Sequence, residues 1–239
     1  MDWRDEGMIL GVRPHGETAA ILDLLTRERG RWAAVVHGGV SRRMKPVLQP
    51  GNQVSAAWRA RLEGHMGSVS VELSKGRTGV VMGDPLRLAA LSAVCALASW
   101  ALPEREAMPD FSARTEALAD AIADGTGWLR DYALWELALL DAAGFTLDLS
   151  TCAAGGAGAL AYVSPRSGRA VSVGGAAGYE DRLLPLPAVL LGGAATLEGV
   201  RAALATTGHF LEGRMAPAID RPVPAARARF LRQLAREAG

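Results

Sequence analysis

Thr18-Ala-Ala-Ile-Leu-Asp-Leu-Leu-Thr-Arg-Glu-Arg-Gly-Arg-Trp-Ala-Ala-Val-Val-His-Gly-Gly-Val-Ser-Arg-Arg-Met-Lys-Pro46 contains two strand patterns and a cationic loop. The apolar run 19–26 and the run 31–36 flank the polar turn Arg27-Glu-Arg-Gly30, which reads as a β-hairpin. A Gly-rich loop with Arg42, Arg43 and Lys45 follows. Between Glu28 and Glu63 there is no acidic residue, while Arg29, Arg31, Arg42, Arg43, Lys45, Arg59 and Arg61 supply seven cations. Unopposed cations on short strands and their loops suit phosphate groups rather than an apolar ligand. Arg27, in the hairpin turn, completes the candidate set.

Working outward, residues 7–12 predict a preceding strand that ends at Arg13-Pro-His-Gly16, residues 53–61 alternate as a fourth strand, and residues 68–73 as a fifth after the turn Gly64-His-Met-Gly67. Five short strands within the first 79 residues predict a small closed barrel of the OB type, an architecture that recurrently binds oligonucleotides. Arg31 with Trp32, and Trp58 with Arg59, are neighbours on strands, so the members of each pair take opposite faces. Either tryptophan is core when it points inward, or a base-stacking platform when it points outward.

Downstream the pattern is helical. Asp84-Pro85 is a start signal for an apolar helix over 86–102. Helices are expected over 112–124, with the cap at Ser112, and over 127–143, where Tyr132, Trp135, Leu139 and Leu140 form a core stripe stopped by Gly144. Residues 147–178 are Gly-rich and read as a small hairpin, with strands at 161–164 and 169–173. Helical patterns return over 187–191, 196–215 and 223–237. The last of these places Arg229, Arg232 and Arg236 on one face, a secondary basic patch. The fold expectation is α+β, with a barrel domain at 1–79 and a helical domain at 80–239 that carries the insertion.

Charge follows the same division. Residues 1–79 hold 12 Lys and Arg against 8 Asp and Glu, net +4, and the remainder carries a net of −3. Such asymmetry favours a polyanionic partner for the first part. Only two of the cations, Lys45 and Lys75, are lysines, and guanidinium suits bidentate phosphate contact. The charged N-terminus and the short apolar runs show no secretion signal and no membrane span. Two cysteines, Cys95 and Cys152, fit a reducing compartment, so the expected location is cytoplasmic.

Catalytic patterns fail. There is no phosphate-loop, zinc-protease or nucleophile-elbow motif, and Gly156-Ala-Gly158 lacks the third glycine of a dinucleotide fingerprint. Ser164, Ser167 and Ser172 have no local histidine and read as turn residues. His15, His37, His65 and His209 are scattered along the chain, three of them in predicted barrel turns, and read as surface residues, with base stacking or hydrogen bonding to phosphate as the alternative. Two cysteines and four dispersed histidines make no zinc spacing.

The stretches 7–11, 16–30, Gly38-Gly-Val-Ser-Arg-Arg43 and Leu48-Gln-Pro-Gly51, with 137–152 and 161–169 downstream, together resemble the RecO family of DNA repair and recombination mediators. The resemblance implies an OB barrel followed by a helical domain and no catalytic turnover. It implies binding of single- and double-stranded DNA and annealing of complementary strands. It also implies help in loading the recombinase RecA, with RecR and RecF, onto DNA coated by single-strand-binding protein, whose acidic tail the family contacts. Many members hold a four-cysteine zinc module. Here Cys152 matches its first position, Gly155 stands at the second and no cysteine follows, so no metal is expected. The alternative from the residues alone is an RNA-binding OB protein of translation or RNA processing, favoured if binding depends on 2′-hydroxyls.

Overall fold

The structure, a computed structural model, describes residues 1–62 and 64–237. Strand β1 (Asp2–His15) is long enough to serve two neighbours. Its first half pairs antiparallel with β4 (Gln53–Arg59), its second half with β2 (Ala19–Thr26), and an irregularity between Ile9 and Gly11 lets it bend from one to the other. β2 pairs with β3 (Gly30–Val36), and β4 with β5 (Ser68–Lys75). The barrel closes in the order β1-β2-β3-β5-β4, and its last seam is sparse: β3 and β5 share one registered pair, Val35 with Ser68.

The hairpin runs as the sequence predicts, with the turn at Arg27-Glu-Arg. Both tryptophans face the interior side. Trp58 is buried, Trp32 packs against the core, and with Trp3 they form one cluster in which Trp3 and Trp58 stack while Trp32 lies edge-on to both. Trp3 and Trp58 buried, with Trp32 half-buried against them, fill this side of the barrel interior. Ile9, Leu22, Leu24 and Val54 complete the packing around them.

Packing groups the chain otherwise than the 1–79 and 80–239 division read from the sequence. One unit comprises residues 1–126 with 224–239, and the second residues 127–223. The reason lies in the helices beyond the barrel. A short α1 (Arg77–Val81), which no sequence pattern announced, leads into α2 (Pro85–Ala101), whose N-cap Asp84 accepts hydrogen bonds from the N–H groups of Leu86 and Arg87. α2 lies against β1: the Cys95 thiol reaches the Ile9 carbonyl, and Gly51 sits so close that a Cβ there would come within 2.6 Å of Leu91. α3 (Pro109–Asp124) starts three residues earlier than expected, because Pro109 takes the first helical position. Ser112 is therefore no cap: its hydroxyl is buried and donates to the Thr26 carbonyl at 3.1 Å.

In the second unit, α4 (Trp128–Ala142) presents Trp135 and Leu139 to its core. The Gly-rich module forms β6 (Leu160–Val163) and β7 (Ala170–Ser172), as expected, and a two-residue β8 (Leu184–Pro185) adds an unforeseen edge in the order β7-β6-β8. Residues 188–191 are a 3-10 turn rather than an α-helix, ended by Gly192 in the left-handed region. α5 (Leu197–Phe210) passes through a π-helical turn at Leu211–Met215 into the short α6 (Ala216–Ala218). The C-terminal α7 (Ala225–Arg236) belongs to the first unit and packs on α2. Among the described residues, no helix is long and apolar enough to cross a membrane.

Candidate nucleic-acid interface

The eight candidate cations of the barrel divide into two groups. Arg27 and Arg31 are engaged by carboxylates of their own unit. Arg27 makes a forked contact with Glu116 of α3, its closest approach 2.6 Å, and Glu116 is nearly buried and also accepts from Gln53. Glu116 raises the Arg27 guanidinium above the usual arginine value, the hydrogen bond being the larger cause. Arg31 bonds Asp23 at 3.1 Å, the Leu102 carbonyl at 3.0 Å and Glu104 at 3.4 Å. Burial pushes the Asp23 carboxyl up, against the pull of Arg31 and of the Ser99 hydroxyl at 2.5 Å. These two arginines tie the barrel to its helices through carboxylate pairs.

The other six are solvent-facing. Arg29 is exposed, with its guanidinium 5.5 Å from the Trp3 ring centroid. Arg42, Arg43 and Lys45 are exposed on the loop between β3 and β4, and among the described residues none of them has a carboxylate partner. That loop is not a loose excursion. Successive turns bond Ser41 to Gly38, Met44 to Ser41 and Leu48 to Met44, while Leu48 is buried and Met44 and Val47 pack on the barrel core. The apolar residues anchor the loop and leave the cations outward. Arg59 on β4 and Arg61 just beyond it line a cavity of about 620 Å³ beside the β3–β5 seam.

Three further residues, read from the sequence as surface histidines in barrel turns with phosphate contact as the alternative, come together at this place. His15, His37 and His65, which looked scattered, line the same cavity as Arg59 and Arg61. Each sits beside a turn or strand end, and only barrel closure brings those ends together, so no spacing in the chain could have signalled them. The terminal row Arg229, Arg232 and Arg236 lies apart, on α7, lining a groove of about 390 Å³ whose floor includes Pro85 and Leu88 of α2.

The donor set at Cys152 does not fit a tetrahedral zinc ion. Its sulfur accepts from the Ser172 backbone N–H at 3.2 Å, and the Ser172 hydroxyl donates to the Gly156 carbonyl and accepts from Gly175. Among the described residues, no group of three His, Cys, Asp or Glu side chains could hold a metal. Hydrogen bonds from Ser172 pull the Cys152 thiol down to about 6, while burial pushes Cys95 up to about 12. Thiolate is the reactive form. At pH 7.5, one equivalent of iodoacetamide label on Cys152 is therefore expected in the native protein, with a rate that falls below pH 6. Labelling of Cys95 at a comparable rate contradicts this.

The chain is similar along its length to known proteins. The family model described as recombination protein O, N terminal, matches residues 1–77, and that described as recombination protein O, C terminal, matches residues 82–220. Proteins named DNA repair protein RecO are 56% identical over 238 residues in Dinoroseobacter shibae, covering 99% of both chains, and 52% identical over 239 residues in Jannaschia sp., covering 99% of this chain and 98% of that one. A third, from Cereibacter sphaeroides, is 51% identical over 239 residues and covers 99% of each. With both halves of the chain matched in order, and a five-stranded barrel leading into helices, the chain belongs to the RecO family.

Proposed function

We propose that the protein is a DNA repair and recombination mediator without catalytic turnover, which binds single- and double-stranded DNA and anneals complementary strands. The observation that carries this reading is the anchored loop bearing Arg42, Arg43 and Lys45, three exposed cations without carboxylate partners among the described residues, together with Arg59 and Arg61 beside the open barrel seam. Cations that neutralise phosphates on two strands lower the repulsion between them, so pairing proceeds. Because such binding releases counterions, it weakens steeply with salt. The family likeness supports the same role.

The proposed partners follow the family. The groove between α2 and α7 suits the acidic tail of single-strand-binding protein: Pro85 and Leu88 offer an apolar floor, and Arg229, Arg232 and Arg236 offer guanidinium to a carboxylate. RecR and RecF as co-mediators, and RecA as the recombinase to be loaded, belong to the same proposal, as does action at the nucleoid in the cytoplasm. The Gly-rich module works in this reading without metal, held by the Ser172 and Cys152 hydrogen bonds.

The test is strand annealing of complementary dye-labelled oligonucleotides over a salt series. Annealing that is strong at low salt and falls steeply as salt rises is the expected result. No binding or annealing of DNA at low salt overturns the proposal, and a strong preference for RNA of the same sequence transfers the barrel to RNA work.

A further inference from the structure

The sparse β3–β5 seam leaves a groove. Beyond the Val35–Ser68 pair, the two strands are joined by a hydrogen bond from the Val35 N–H to the Gly67 carbonyl at 3.1 Å. The cavity of about 620 Å³ lies here, and a second of about 350 Å³ continues it, sharing His37, Arg59 and Ser68. Three of the chain's four histidines line this groove with two arginines, and among the described residues no Asp or Glu lines either cavity. β1 contributes His15, the end of β3 contributes His37, β4 contributes Arg59, and the β4–β5 loop contributes Arg61 and His65. β5 contributes no charged side chain, only serines and valines.

The groove's far wall is held in place. The Trp58 indole N–H donates to the Met66 carbonyl at 2.8 Å. Gly67 has φ +68°, and a Cβ there would come within 2.6 Å of Trp58 and of the Arg59 carbonyl, so the turn beside His65 requires glycine. Arg105, stacked 4.6 Å from the Trp32 ring centroid, donates to the carbonyls of His65 at 2.9 Å and Gly64 at 3.3 Å. Residues 64–67 of the β4–β5 loop are thus pinned from both sides, with His65 on the groove.

We infer that this groove is a proton-coupled phosphate site, in which His15, His37 and His65 grip the backbone of a single nucleic-acid strand and take up protons as it binds. The inference rests on the DNA-binding reading and adds the place and its regulation. A phosphodiester stays anionic throughout the neutral range, so any proton linkage comes from the protein. Imidazole is the side chain whose charge ordinarily changes between pH 5 and 8, and an adjacent anion favours its charged form. A phosphate bound between the imidazoles supplies that anion. Arg59 and Arg61 give a fixed charge that persists when the imidazoles are neutral. Ala19, Val35 and Ala60 leave apolar space beside them for a base or sugar. The size lies within the range of small-ligand pockets.

The test is anisotropy of a dT oligonucleotide carrying a pH-insensitive dye, at constant ionic strength, at pH 6, 7 and 8. The wild type is expected to tighten by about tenfold or more from pH 8 to 6, an average uptake of at least about half a proton over that range. His15→Gln/His37→Gln/His65→Gln is expected to bind more weakly than the wild type at pH 6 and to change less than about twofold between pH 8 and pH 6. All three positions are exposed, so the fold is kept. His37→Gln alone, which touches both cavities, is expected to lose part of the slope. Three results overturn the inference while leaving DNA binding intact: a wild type that binds tightly with no pH slope, a triple variant that keeps the slope, or a slope that the triple variant abolishes only for a poly-glutamate peptide, which would make the groove a peptide site. A wild type that binds no DNA at any pH overturns both the inference and the proposed function.

Discussion

Arg77→Ala is expected to lower the free energy of unfolding by about 3–5 kcal/mol, the usual cost of removing one member of a buried charged network. The Arg77 side chain is only 2% exposed. Its guanidinium donates to the Gly51 carbonyl at 3.2 Å, to the Gln53 side chain at 3.0 Å and to Asp120 of α3 at 2.7 Å. Gln53 in turn donates to Glu116, which holds Arg27. One side chain therefore ties α1, the approach to β4 and α3 together, and alanine leaves a carbonyl and an amide oxygen without their donor. Lys75 contacts the same Asp120 at 2.9 Å from an exposed position, so Lys75→Ala is expected to cost less than about 1 kcal/mol. Burial pushes the Asp120 carboxyl up, but hydrogen bonds from Arg77 and Lys75 outweigh it and hold the group below its ordinary value. A carboxyl held down in the folded state contributes stability above its unfolded value, near 4, and loses it as pH falls through the lower folded value. Arg77→Ala is expected to weaken that acid dependence. Urea titrations of the three proteins at pH 7 and pH 3.5 measure both effects. Equal losses for Arg77→Ala and Lys75→Ala contradict the account.

The Arg77 network also shows where the sequence stops being legible. Local patterns carried the barrel: alternation, a four-residue polar turn and glycine punctuation located all five strands, and Asp84-Pro85 located α2. What they could not carry was pairing at a distance. Arg27 and Arg31 share a residue type and a neighbourhood with Arg29, yet their carboxylate partners Glu116, Asp23 and Glu104 lie on other elements, so charge density alone does not tell which cations are paired. Arg105 and Glu106 make the same point at the hairpin turn. Gly30 has φ +68°, and a Cβ there would fall 1.7 Å from the Glu106 carbonyl oxygen. The sequence shows a turn glycine, but not that a segment more than seventy residues on lies against it. The histidine groove was hidden for the same reason, since its walls exist only after β3 meets β5. Proline at the first position of α3 was readable and was passed over for the serine three residues later. Edge strand β8 and the 3-10 turn at Ala188–Leu191 are too short to show a period.

Arg42→Ala/Arg43→Ala/Lys45→Ala is expected to weaken binding of single-stranded DNA by roughly a hundredfold at 0.1 M salt and to reduce the slope of log affinity against log salt by about 2, from a release of about 0.7 counterion per phosphate neutralised. For duplex DNA the reduction is about 2.7, at about 0.9 per phosphate. The argument depends on the loop being both exposed and fixed. Among the described residues its three cations have no carboxylate to leave when a phosphate arrives, and its turns are bonded while Met44, Val47 and Leu48 remain packed on the barrel. Binding then demands little rearrangement, so each charge removed registers in the salt slope rather than in folding. The variant is accordingly expected to melt within about 0.5 kcal/mol of the wild type, as exposed substitutions usually do. Arg27→Ala supplies the opposite control. Its guanidinium is committed to Glu116, so its loss is expected to leave the salt slope unchanged and to appear in stability instead. If the loop variant keeps wild-type affinity and slope while Arg27→Ala loses both, the phosphate path runs along the hairpin turn, and the division of the cations into free and engaged groups is wrong.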